Sequence, residues 1–76
     1  MGLNEIKSYC PCRVIKIEKN STLLRRFLDI GIIPGTKIEK VLSNPFGGIQ
    51  AYSIMGTTIA IRDNDAKEVI VSYEEI

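Results

Sequence analysis

Apolar residues recur with helical spacing at Leu23, Leu24, Phe27, Leu28 and Ile30, while Arg25, Arg26 and Asp29 fall on the opposite side. The pattern predicts an amphipathic helix over residues 21–30, with Asn20 or Ser21 as its cap. Gly31 stands where the last helical turn needs a left-handed residue. Pro34 and Gly35 then supply the fixed φ and the positive φ of a type II turn.

Everything around this helix reads as short strands. Residues 13–18 end in alternating apolar and charged positions, which places Ile15 and Ile17 inward. Residues 36–43 form a second strand in which Ile38 and Val41 have opposite parity, so either a bulge lies near Lys40 or both faces are buried beyond it. Residues 43–48 are a loop by composition, with one large apolar side chain, Phe46, beside Pro45 and two glycines. Residues 49–54 and 57–62 are paired strands joined by a tight turn at Met55-Gly56, with Tyr52 and Ile54 on one face and Ile59 and Ile61 on one face of the next. A single helical turn capped by Asp63 or Asn64 precedes a fifth strand at residues 69–71, and residues 73–76 are expected to fray.

Five short strands, a long excursion after the first and one helical turn before the fifth predict a mainly β fold. The expectation is one domain over residues 1–76, an SH3-like five-stranded barrel with a helix inserted between the first and second strands and a core at about residues 13–72. Seventy-six residues leave room for one core, and a stability of about 4–11 kcal/mol is expected at that length.

Charge and composition narrow the chemistry. Ten Lys and Arg against nine Asp and Glu give a net charge of +1 with no long basic run, which disfavours a nucleic-acid partner. No apolar stretch approaches a membrane span and the first residues lack a signal-peptide pattern, so a cytoplasmic protein with no membrane insertion is expected. Histidine is absent, which removes the commonest proton shuttle and nitrogen ligand, and the remaining carboxylates sit as solvated faces do. Neither catalysis nor a cofactor is expected.

Cys10-Pro11-Cys12 offers two thiols to a soft cation, but two ligands do not close a tetrahedral site. Reduced cysteines at a strand start are the favoured reading, and a metal carrier or sensor using Cys10 and Cys12 across a dimer is the alternative. Arg25 and Arg26 either pair with Asp29 or Glu39 or face a partner. Phe46 is either a plug over the barrel mouth or, with Pro45, an exposed anchor. Gly31, Pro34, Gly35 and Gly56 are read as structural turns.

Three blocks then carry a resemblance: residues 25–36 (RRFLDIGIIPGT), residues 44–48 (NPFGG) and residues 56–62 (GTTIAIR). In this order and spacing the chain resembles the ferrous iron transport protein A (FeoA) family from about Val14 to Val71. Two departures stand out: Gly48-Ile49 where the family often has Asp-Pro, and Ser8-Tyr9-Cys10-Pro11-Cys12 where it usually has a Pro-Gly type turn. The resemblance implies an SH3-like cytosolic accessory protein of ferrous iron uptake. It further implies a FeoB-like membrane transporter as partner, contacted through its cytosolic GTP-binding region, and a regulator that is a monomer or weak homo-oligomer.

Overall fold

A computed structural model describes residues 1–18 and 23–74. Five strands, β1 (Cys12–Ile17), β2 (Lys37–Leu42), β3 (Ile49–Ile54), β4 (Thr57–Arg62) and β5 (Val69–Tyr73), form one antiparallel sheet. Its order is β4-β3-β2-β1-β5. Helix α1 (Leu24–Asp29) lies between β1 and β2, and the single turn α2 (Asp63–Ala66) links β4 to β5. Inward residues of all five strands meet in one apolar cluster with Phe27 and Ile32, the topology and packing of an SH3-like barrel.

Two bulges set which side chains reach that cluster. The β1–β5 register shifts between Val14 and Lys16, so Ile15 is the extra residue and its side chain is 52% exposed while Val14 and Ile17 are buried. Simple alternation placed Ile15 inward, and the bulge reverses it, because one inserted residue flips the parity of a strand. The β2–β3 register shifts between Lys40 and Leu42, which makes Val41 the extra residue and accounts for its opposite parity to Ile38. Lys40 keeps the parity of Ile38 and is therefore buried. Its Nζ donates to the Asn4 carbonyl at 3.2 Å and lies 5.9 Å from the Tyr52 ring centroid.

The turns form as the sequence predicts. Gly31, at φ 99°, donates to the Leu28 carbonyl, and Ile32 N donates to the Phe27 carbonyl at 2.9 Å. These two bonds are a Schellman closure, with Ile32 and Phe27 both buried as its apolar staple. Thr36 N closes the Pro34-Gly35 turn onto the Ile33 carbonyl at 3.0 Å, with Gly35 at φ 91°. Met55 and Gly56 both take positive φ, the requirement of a two-residue type I′ hairpin.

Other expectations need correction. Only Phe27 of α1 is buried, with Leu23 and Leu24 packed beside it, while Leu28 and Ile30 are 42% and 41% exposed. The helix is short, so its core stripe holds one turn of apolar residues. Asp63 is the first residue of α2, not its cap, and its carboxylate turns back to the loop before β3. The proposed cap at Asn20 or Ser21 lies outside the described residues. Tyr73 belongs to β5, and its hydroxyl accepts a hydrogen bond from Lys7 N at 3.0 Å. Glu74 is not frayed either, since it pairs with Arg13 at 2.8 Å.

The N-terminal residues extend the core beyond residues 13–72. Leu3 and Ile6 are buried around a single 3₁₀ turn (Leu3–Glu5). Gly2 bridges Ile70, and Val71 N donates to the Met1 carbonyl at 2.8 Å. This segment covers the outer edge of β5.

Candidate docking face

The loop between β2 and β3 is held by its own polar groups. Gly47 N donates to the Asn44 carbonyl at 2.9 Å, and Phe46 N donates to Asn44 Oδ1 at 3.0 Å, so Pro45 occupies the second position of a closed turn. Buried Gln50 accepts from Asn44 N at 2.6 Å through Oε1. Asp63 clamps the other end, with Oδ2 accepting from Gly48 N at 3.1 Å and its own N–H donating to the Gly48 carbonyl at 2.7 Å.

This frame presents Phe46 at 96% exposure. The side chain is no plug: it touches solvent on nearly every side. Sequence reasoning could not choose between plug and anchor because the decision rests on Gln50 and Asp63, which lie beyond the loop. The sequence pattern marks Gln50 only as a strand residue and Asp63 only as a cap.

Arg25 and Arg26 are exposed on α1, and among the described residues the ion pairs are Arg13–Glu74 and Lys37–Glu74. Neither helix arginine pairs with Asp29 or Glu39. Arg26 lines a groove of about 430 Å³ between α1 and β4, whose floor includes Ile49 and Ala60. A shallower depression continues from those two residues to Leu42 and Asn44, at the root of the Phe46 loop. Arg26 and the Phe46 loop thus bracket one surface, while Arg25 lines neither hollow.

The cysteines are unlike each other. Cys12 is fully buried, its Sγ donating to the Ile38 carbonyl at 3.3 Å, whereas Cys10 is half-buried. Burial, reinforced by Glu74, pushes the Cys12 thiol up to about 11. A buried, protonated thiol is a core side chain and a poor nucleophile. Iodoacetamide at pH 8 is accordingly expected to label Cys10 at least tenfold faster than Cys12, as read by mass spectrometry; equal rates would place Cys12 at the surface. Among the described residues no three His, Cys, Asp or Glu side chains gather where they could hold a metal ion.

No helix of the described residues is long and apolar enough to cross a membrane. What the strand order, the inserted helix and the pinned loop define is an SH3-like β protein that exposes an aromatic side chain on a closed turn. The FeoA domain model matches residues 1–73, and the chain belongs to the FeoA family, associated with ferrous iron transport.

Among solved structures, the FeoA-like protein of Clostridium acetobutylicum is 32% identical, with a TM-score of 0.88 over 96% of this chain and 85% of its own. Iron(II) transport protein A of Clostridium thermocellum is 26% identical, with a TM-score of 0.89 over 96% of this chain and 45% of its own. The zinc complex of Stenotrophomonas maltophilia FeoA is 25% identical, with a TM-score of 0.84 over 95% of this chain and 89% of its own. That protein is described as a prokaryotic SH3 domain protein and a candidate ferrous iron transport activating factor. No match is found among curated proteins.

Proposed function

We propose that this chain is a non-enzymatic, cytoplasmic accessory protein of ferrous iron uptake that docks onto the cytosolic GTP-binding region of a FeoB-like transporter. The contact is made by Phe46 and Pro45, with Arg25 and Arg26 as charged rim. The observation that supports this reading is the 96% exposure of Phe46 on a loop held by its own hydrogen bonds. An exposed aromatic costs solvation free energy in the isolated protein, and a rigid one loses little entropy when a pocket receives it.

A hot-spot aromatic at the centre of an interface is worth at least about 2 kcal/mol, roughly 30-fold in affinity. Phe46→Ala is therefore expected to weaken binding to the transporter's cytosolic region by that factor, measured by calorimetry, while the melting temperature stays where it was. Unchanged affinity would remove the loop from the interface. Arg25→Ala and Arg26→Ala are expected to change the association rate and its salt dependence more than the dissociation rate. The alternative, a metal carrier using Cys10 and Cys12, is disfavoured by the buried and protonated state of Cys12.

A further inference from the structure

The sheet has two edges, and they differ. The outer edge of β5 is covered by Met1 and Gly2, whereas among the described residues β4 has no strand on its outer side. In the β3–β4 hairpin the two-residue turn makes Ile54 and Thr57 the first hydrogen-bonded pair. Bonded pairs then alternate, through Tyr52 with Ile59 and Gln50 with Ile61. Thr58 and Ala60 consequently turn their main-chain N–H and C=O away from β3, as Arg62 turns its N–H, and no backbone partner meets those groups among the described residues; the Arg62 carbonyl caps α2 instead.

The groove beside α1 runs along this same edge. It is lined by Ile59, Ala60, Ile61 and Arg62, four consecutive residues whose side chains alternate between the two faces of the sheet. Consecutive strand residues share one hollow only where it follows the strand's edge. Phe27 and Ile30 form the opposite wall, and Arg26 and Arg62 face the hollow against a single carboxylate, Asp65.

We propose that the β4 edge takes an extended acidic peptide segment as an added strand, seated between β4 and α1. Unpaired donors and acceptors at every second residue specify an extended backbone as occupant, because only a strand offers matching groups at that spacing. The apolar wall takes that strand's inward side chains, and the two guanidiniums select a carboxylate on it. A second copy of this chain is the poorer occupant, since it would bring another Arg26 and Arg62 to a hollow that already holds two arginines against one aspartate. The proposal depends on the docking role above only for which protein supplies the strand.

The test uses the whole chain, isotope-labelled, with the peptide acetyl-Thr-Val-Asp-Val-Thr-amide at millimolar concentration. Exchange of the Thr58, Ala60 and Arg62 amide protons is expected to slow at least tenfold. N-methylation of one alternate set of peptide residues is expected to abolish this, and methylation of the other set to leave it intact. Replacing the peptide's aspartate with lysine is expected to weaken binding at least tenfold.

No slowing, equal effects of the two methylated peptides, or equal binding of the lysine peptide overturns the proposal. Slowing that grows with protein concentration in the absence of peptide also overturns it, in favour of self-association. Peptide failure together with a Phe46→Ala loss of transporter binding sinks the edge site alone; peptide success with unchanged Phe46→Ala affinity sinks the loop contact alone.

Discussion

Phe27→Ala is expected to leave the protein largely unfolded, or to lower its melting temperature by more than about 12 °C. Truncating a buried phenylalanine typically costs about 3–5 kcal/mol, against a total near 4–11 kcal/mol for this length. Phe27 is the single buried residue of α1, and its carbonyl accepts the bond that closes the helix onto Ile32. Losing the ring removes the wall that holds both. Leu28→Ala is the control, since Leu28 is 42% exposed and should cost under about 1 kcal/mol. Urea unfolding followed by circular dichroism separates the two. Equal destabilisation by both variants would mean that the helix buries the broader stripe read from its apolar spacing.

Alkaline destabilisation between pH 9 and 12 is the second large expected effect. Burial, with Glu74 adding, raises the Cys12 thiol from 9.0 to about 11. Burial, with Asp63 and then Cys12 adding, raises the Tyr52 hydroxyl from 10.0 to about 12. Below pH 9 both groups are protonated in the folded and unfolded chains, so the stabilisation is fully present. As pH rises through that window the unfolded chain releases protons that the folded chain retains, and stability falls until the folded groups also ionise. The combined loss is on the order of a few kcal/mol. The urea midpoint should decline steadily from about pH 9, Cys12→Ala should delay the onset toward pH 10, and Tyr52→Phe should remove the later phase. A midpoint flat to pH 12 would show that neither group is held in its protonated form.

Tyr52→Phe has a further reading at neutral pH. The Tyr52 hydroxyl is buried with no hydrogen-bond partner among the described residues. Removing a buried, unsatisfied hydroxyl is close to neutral or stabilising.

The turns were the most legible part of the chain. Gly31, Pro34-Gly35 and Gly56 each satisfy a backbone requirement within a few residues, and the Schellman closure, the type II turn and the hairpin stand where those residues put them. The side chains that face inward were less legible. Ile15, Leu28 and Ile30 each fit an apolar pattern and each is exposed: the bulge that turns Ile15 out is fixed by pairing with β5, and in the short helix α1 only Phe27 reaches the core. Leu3 and Ile6 were missed for the same reason, since their burial depends on contacts with β5 and β2 more than 30 residues away.

The candidate site divides similarly. Phe46 and Pro45 stand out by composition, as an aromatic and a proline among glycines. That Phe46 points to solvent, that Asp63 and Gln50 hold its loop, and that Arg26 reaches a groove joined to that loop through Ile49 and Ala60 are properties of the assembled sheet.

By itself the sequence determined the order of strands and helix, the residues at which the chain reverses, and the family. The first two depend on local dihedral preference and on apolar periodicity within ten or so residues, and the family on three sequence blocks in order and spacing. Only the tertiary structure decided which apolar side chains are core, that Cys12 is a buried thiol, and that β4 is an edge strand among the described residues. Each of these depends on which strand lies beside which, and strand pairing joins residues too far apart in the chain for any local pattern to record it.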